Sequence, residues 1–271
     1  MRAKKHLGQH FLTSNQAVSE MITAAQVILG DTILEIGPGR GVLTRALLDT
    51  GANVIAIEKD TELLPVLRNT FRKELHTGQL RILEGDATEP AIIEQLSGLE
   101  FQNHTYKLVA NIPYYITGLI LRTYISGTFS PISATLLVQK EVAEQIITKQ
   151  GRESILSLAI KIYGTPSIVS IVTADHFSPP PKVDSAILHI ADIHHEHFTE
   201  MTENEFFRVV RAGFASRRQT LANNLKRVLH LSHTTEILQS IGLHELARAE
   251  TLNISEWLQL VRILRNSEIK K

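Results

Sequence analysis

The sequence predicts an α/β fold: a doubly wound, largely parallel sheet with helices on both faces, followed by a small all-α C-terminal domain. Three observations carry this. Short apolar runs alternate with helical patterns from Thr32 to Val138. The first such run ends in a glycine-rich turn that opens a helix, the ligand-binding entry of a doubly wound sheet. From about Met201 to the end the pattern is helical throughout.

A chain of 271 residues has room for one large domain plus one small one. The 28 basic and 28 acidic residues cancel, so any nucleic-acid surface must be local. The absence of cysteine removes disulfides, thiolate nucleophiles and cysteine-based zinc sites. No apolar run approaches the roughly 18 residues of a membrane span. The basic start, Met1-Arg2-Ala3-Lys4-Lys5-His6, is not followed by an apolar targeting segment. A cytoplasmic protein is expected.

The elements follow in order. Ser14 or Asn15 caps a first helix, with Val18, Met21, Ile22 and Ala25 on its apolar face. Physics alone makes the preceding Gly8-Gln9-His10-Phe11-Leu12 a frayed arm with two anchoring hydrophobes. Thr32 to Ile36 is a strand, and Glu35-Ile36-Gly37-Pro38-Gly39-Arg40-Gly41 leads into a helix through Val42, Leu43, Ala46 and Leu47. Glycines let the backbone approach a ligand, and the helix N-terminus presents free N–H groups. A dinucleotide fingerprint needs glycine where Val42 stands. The Glu-x-Gly-x-Gly-x-Gly spacing instead resembles the first motif of S-adenosylmethionine-dependent methyltransferases. Asn53 to Ile57 is the second strand. Glu58 at its end, about twenty residues past the loop, is placed to accept from ribose hydroxyls. Leu63, Leu64, Val66, Leu67 and Phe71 form a helix face, with Pro65 tolerated in the first turn. Leu80 to Leu83 is the third strand, closed by Glu84-Gly85-Asp86-Ala87. Asp86 is the third acidic strand end, suited to accept from an adenine amine. A helix follows from Ala91 to Leu96.

Tyr106 to Ala110 is the fourth strand, ending in Asn111-Ile112-Pro113-Tyr114-Tyr115. Pro113 has no N–H and takes the chain off the sheet. Ile112, before proline, is held extended. An amide and an aromatic ring are thus presented at a strand's carboxyl end, where open α/β sheets bind ligands. The N6 lone pair of adenine is delocalised into its ring and is a poor nucleophile. An asparagine oxygen and a backbone carbonyl accepting from that amine would aim the lone pair at an electrophile. Tyr114 suits stacking on an unpaired base. The catalytic set on this reading is Asn111, Pro113 and Tyr114.

Beyond it, Ile116 to Ile125 reads as a helix with Thr117 as cap, Ala134 to Val138 as the fifth strand, and Lys140 onward as another helix. Gln150-Gly151-Arg152-Glu153 is a loop. Leu158 to Tyr163 and Ile168 to Val172 are β-branched runs, the composition of strands, flanking Gly164-Thr165-Pro166. Phe177-Ser178-Pro179-Pro180-Pro181-Lys182-Val183-Asp184-Ser185 is a rigid connector into a last strand, Ala186 to Ile190. It is either a stiff link or a border of the substrate mouth. His194-His195-Glu196-His197 is no metal tract, because adjacent residues point apart and nothing nearby completes a ligand set. It marks a boundary between domains 1–194 and 195–271. In the second, Phe206, Phe207, Val210, Phe214, Leu221, Leu225, Val228, Ile237, Leu238, Trp257, Leu260, Val261 and Leu264 are the expected core. Between Phe206 and Thr235 lie Arg208, Arg211, Arg217, Arg218, Lys226 and Arg227 with no acidic residue. Phosphate contact is the natural role of such a run.

Several stretches together resemble one family, the KsgA (RsmA) small-subunit ribosomal RNA adenine dimethyltransferases. They are Gly8 to Leu12, Glu35 to Thr44, Glu58, Gly85-Asp86-Ala87, Asn111 to Tyr115, Gln139 to Val142, Phe177 to Ser185 and Phe214 to Leu225, in family order over nearly the whole chain. The glycine loop is weakly specific, Asn-Ile-Pro-Tyr narrows the match to amino methylation, and the proline-lysine and Arg-Arg segments select the family. The resemblance implies a Rossmann-like class I methyltransferase sheet. It implies S-adenosylmethionine held by His10, Leu12, Gly37, Gly39, Gly41, Glu58, Asp86, Ala87 and Asn111, with no metal. It implies transfer of two methyls to N6 of each of two adjacent adenines in a hairpin loop near the 3′ end of small-subunit rRNA, by a monomer acting on a 30S assembly particle. Lys4, Lys5, Lys182, Arg208, Arg211, Arg217, Arg218, Lys226 and Arg227 would face RNA. Two positions depart from the family: His10 stands where many members have Asn, and Gln219 where Lys usually follows the arginine pair. Three rivals are weighed. A large-subunit rRNA adenine methyltransferase shares the front motifs and is separated by the C-terminal region. A mainly non-catalytic assembly factor is disfavoured by the intact Gly37, Glu58, Asp86 and Asn111. A nicotinamide dehydrogenase is disfavoured by Val42.

Overall fold

The computed structural model describes residue 4 and residues 8–99, 104–127, 129–148 and 152–268; Lys5, Gln150 and Gly151 lie outside the described residues. The strands are β1 (Phe11–Leu12), β2 (Thr32–Ile36), β3 (Asn53–Glu58), β4 (Leu80–Glu84), β5 (Lys107–Asn111), β6 (Ser133–Gln139), β7 (Thr165–Val172), β8 (Phe177–Ser178) and β9 (Ser185–Ala191). Seven strands form one sheet in the order β4-β3-β2-β5-β6-β9-β7. β4, β3, β2, β5 and β6 run parallel, and β9 is antiparallel to both β6 and β7. The first five keep the doubly wound order, and the reversed β9 is inserted before the edge strand.

The central strands are apolar on both faces because helices cover both. Ile33, Leu34, Leu108, Val109, Ala110, Leu136, Leu137 and Val138 are fully buried. Register then aligns the carboxyl ends: Ile36 pairs with Ile57, Glu58 with Glu84, and Asn111 with Leu137. The strand order reverses between β2 and β5, so a crevice opens at those ends.

The helices are α1 (Asn15–Ala24), α2 (Val42–Asp49), α3 (Leu64–Thr70), α4 (Arg72–Thr77), α5 (Pro90–Ser97), α6 (Thr117–Tyr124), α7 (Lys140–Ile146), α8 (Ile155–Lys161), α9 (Glu203–Gly213), α10 (Leu221–Leu229), α11 (Thr234–Ser240) and α12 (Ile254–Glu268). Ser14 is the cap of α1, its Oγ accepting from the Ala17 N–H at 3.2 Å. The chain divides into two compact units, one of residues 1–144 and 164–194, the other of residues 145–163 and 195–271. Residues 145–163, placed by the sequence in the first domain, thus cluster with the second.

Four expectations need correction. Leu158 to Tyr163 is not a strand. Ser154 and Ser157 form a reciprocal capping box, with Ser157 N–H to Ser154 Oγ at 3.1 Å and Ser154 N–H to Ser157 Oγ at 2.7 Å, and this starts α8. Thr117 does not cap α6: a 3₁₀ turn over Tyr114–Ile116 runs directly into the helix, and the buried Thr117 Oγ1 has no partner among the described residues. Val66 and Val228 are exposed, each on the outer side of a helix whose other side carries the core. The N-terminal arm is not frayed: β1 pairs antiparallel with β8, Phe11 opposite Ser178 and Leu12 opposite Phe177.

Gly41, the N-cap of α2, has φ +80°, and a Cβ there would stand 2.5 Å from the Phe71 ring. Gly78 has the same φ of +80° with open space around it. The pair separates conformational from steric cost. Gly78→Ala should cost about 1–2 kcal/mol, and Gly41→Ala a further ~1–3 kcal/mol from overpacking. Urea midpoints check this; equal losses would contradict the packing role.

Candidate active site

The crevice at the β2–β5 switch is lined by residues from six segments. They include His10 and Leu12 of the arm, Gly37 and Gly39 of the glycine turn, Glu58, Asp86 and Ala87, and Asn111, Pro113 and Tyr114. Backbone bonds stitch its rim: Gly37 N–H donates to Ile57 O at 2.9 Å, and Gly85 N–H to Glu58 O at 3.0 Å. Gly37, Gly39 and Gly41 all have positive φ, so the turn needs glycine to hold its shape. Gly41 does not line the crevice; it packs on Phe71 and Leu67 behind it.

The acidic residues differ in environment. Glu58 is buried; its Oε2 accepts from Gly39 N–H at 3.1 Å and its Oε1 from Asp60 N–H at 2.7 Å. Burial pushes its carboxyl above the usual range despite those donors. Burial would also raise Asp86, but Lys59 at 2.7 Å and the Thr88 hydroxyl at 2.6 Å outweigh it and hold the group low. Glu35 is fully enclosed and is pushed up to about 8 by burial, against the Thr44 hydroxyl at 2.7 Å and with the Glu58 charge adding. Sequence reasoning missed Lys59, because its partner lies on the next strand end.

The arm closes one side. Gln9 Nε2 donates to Asp60 Oδ2 at 2.8 Å, and Lys4 Nζ pairs with Asp60 at 2.7 Å and Glu62 at 3.1 Å. Lys4 is thus engaged within the first unit. His10 Nδ1 lies 2.8 Å from Pro179 O; a carbonyl only accepts, so Nδ1 carries the proton. Asn111 Nδ2 donates to His10 O at 3.3 Å, and its Oδ1 has no partner among the described residues. Tyr114 stacks on His10, with centroids 5.9 Å apart and planes 20° apart. Its hydroxyl lies 2.6 Å from Ser185 Oγ. Tyr115 is 61% exposed and lies beside Gly8 at the crevice. Lys182 is exposed in the first unit; Arg208, Arg211, Arg217, Arg218, Lys226 and Arg227 are all exposed in the second. Among the described residues no cluster of metal-binding side chains occurs, and no helix is long and apolar enough to cross a membrane.

The crevice fits S-adenosylmethionine. The buried Glu58 carboxylate suits a pair of ribose hydroxyls, Asp86 and the Ala87 backbone suit an adenine edge, and the glycine turn leaves backbone room for the amino-acid part. Sheet order, glycine turn and paired strand-end carboxylates define the class: a Rossmann-like S-adenosylmethionine-dependent methyltransferase.

The chain matches the model of the ribosomal RNA adenine dimethylase family over residues 1–266 and belongs to that family. It is 40% identical over 262 residues, 96% of this chain and 88% of the relative, to ribosomal RNA small subunit methyltransferase A of Dehalococcoides mccartyi. It is 35% identical over 262 residues, 96% of each chain, to the protein of that name in Caulobacter vibrioides. Among solved structures it resembles a dimethyladenosine transferase from Plasmodium falciparum, with TM-score 0.80 and 26% identity over 96% of this chain and 98% of that one. The 23S rRNA methyltransferase ErmE shares the fold, with TM-score 0.72 and 23% identity over 94% of this chain and 99% of that one.

The environment of Glu35 yields a pH prediction. Its folded pKa near 8 lies above the unfolded value, so the folded state holds a proton that the unfolded state has lost. Stability therefore falls as pH rises from about 4.5 to about 8. Glu35→Gln removes that slope, and the stability difference between variant and parent should widen with pH by up to about 1.4 kcal/mol per unit. Urea titrations across the range test it; a constant difference would show that Glu35 is ionised in the fold.

Proposed function

We propose that this enzyme dimethylates N6 of two adjacent adenines in a hairpin loop near the 3′ end of small-subunit rRNA, as a cytoplasmic monomer working on a 30S assembly particle. The observation that carries the reading is Asn111. Its Nδ2 is engaged by His10 O while its Oδ1 stands unpaired in the crevice at the end of β5. An amide oxygen so placed accepts from an exocyclic amine. The names of the relatives in Dehalococcoides mccartyi and Caulobacter vibrioides support the small subunit.

S-adenosylmethionine, when bound, supplies an electrophilic methyl carbon. His10, Leu12, Gly37, Gly39, Glu58, Asp86, Ala87 and Asn111 would hold it, with Gly41 fixing the turn from behind. Asn111 Oδ1 and the backbone carbonyl beside Pro113 accept from the adenine amine and fix its lone pair. Tyr114 stacks on the base. No strong base is needed, since the methylated amine is acidic until its proton leaves, and orientation supplies most of the rate. The exposed Arg208, Arg211, Arg217, Arg218, Lys226 and Arg227 supply phosphate contacts, with Lys182 on the first unit. Lys5 belongs to the same reading, while the carboxylates around Lys4 leave it the weakest member of the set.

Asn111→Ala should slow methyl transfer to under-methylated 30S particles by at least about 100-fold. Affinity for S-adenosylmethionine, measured by calorimetry, should change far less. Transfer at the parental rate would remove Asn111 from the catalytic set.

A further inference from the structure

The segment Phe177 to Ser185 runs from β8 through three successive prolines to the first residue of β9. Three of its contacts reach the crevice. β8 pairs with β1 and so fixes the residues that follow His10. Pro179 O accepts from His10 Nδ1 at 2.8 Å. Ser185 Oγ meets the Tyr114 hydroxyl at 2.6 Å. His10 and Tyr114 are themselves stacked, 5.9 Å between centroids. One segment therefore grips both rings of the pair from behind.

Ser185 is the firmest point of that grip. It is fully buried at the start of β9, and its backbone is in register with Gln139 of β6 on one side and Val172 of β7 on the other. Tyr114 begins a 3₁₀ turn off the sheet. The neighbouring Tyr115, in the same turn and with no such bond, is 61% exposed. Successive residues of a 3₁₀ turn point about 120° apart, so of the two rings Tyr114 is the one that meets Ser185, and the bond holds it there.

We propose that Ser185 is a positioning residue for methyl transfer, acting through Tyr114, and that the Phe177–Ser185 segment is the frame that orients the target base. This rests on the reading of Tyr114 as the base-stacking ring. The second transfer depends on the frame more than the first. Each transfer replaces one N6–H by a methyl, so the monomethylated amine offers a single N–H to Asn111 and the backbone carbonyl. With one amine contact gone, ring stacking carries more of the orientation.

The test is a cycle of Ser185→Ala, Tyr114→Phe and the double variant. Single-turnover transfer to under-methylated 30S particles, the mono- to dimethyladenine ratio, affinity for S-adenosylmethionine and melting temperature are measured on each. Each single change should slow transfer about tenfold, the loss of about 1.4 kcal/mol of orientation. Monomethyladenine should accumulate, and cofactor affinity should hold within about threefold, a change of under ~1 kcal/mol. The double variant should be no slower than either single one, because both remove the same bond. Additive losses, or a parental rate and ratio in Ser185→Ala, would overturn the proposal. If Ser185→Ala fails to fold, Tyr114→Phe deletes the same bond from the half-buried tyrosine side and is judged by the same rate and ratio. Tyr114→Ala separates the two readings: transfer retained there would instead overturn base stacking by Tyr114.

Discussion

Parallel pairing in register, strand end against strand end, is the constraint on which the rest depends. β2, β3, β4 and β5 finish at one level, so Gly37, Glu58, Gly85 and Asn111 meet although they are spread over the first half of the chain. A shift of one residue in any pair would turn its terminal side chain to the other face. The apolar interior of these strands fixes the register, because Ile33, Leu34, Leu108 and Val109 have no exposed alternative. The reversal of strand order between β2 and β5 then converts an aligned edge into a crevice.

Within that crevice, rigidity comes from polar groups that are nearly all engaged. Glu58 spends its oxygens on backbone donors of the turn and of Asp60. Asp60 in turn holds Gln9 and Lys4 of the arm. The arm then presents His10 to Tyr114 and receives Asn111. Against this engaged background the unpaired Oδ1 of Asn111 stands out. An amide oxygen can only accept, and a ligand amine is the partner of matching chemistry. In the second unit, Asn224 plays a comparable structural part. It is buried and donates to Gly213 O at 2.7 Å and Ser216 O at 2.9 Å, tying down the turn that exposes Arg217 and Arg218.

The sheet was legible because its signals are local: apolar runs, glycine and proline at their ends, and an acidic residue closing each of the first three. Short elements were not. β1 has two residues and exists only through its pairing with Phe177 and Ser178, far along the chain. α8 is hidden in a run, Leu158 to Tyr163, whose composition reads as β-branched; its start signal is a serine at the position where a capping box usually has Glu or Gln. Val66 and Val228 show the limit of apolarity as a guide, since a helix tolerates single exposed valines. In the site, residue types and motif spacing marked one wall each. The links between walls, such as Tyr114 to Ser185 across 71 residues or Lys59 to Asp86 across 27, are set by topology and leave no local pattern.

The account is tested most directly by mapping where methyl groups go. Purified protein is incubated with isotopically labelled S-adenosylmethionine and with 30S and 50S particles lacking adenine methylation, and the labelled nucleosides are located by mass spectrometry of RNA fragments. The account predicts N6,N6-dimethyladenosine at two adjacent positions in a hairpin loop near the 3′ end of small-subunit rRNA, and none in large-subunit RNA. Label in large-subunit RNA, or no labelled adenine in either particle, would contradict it.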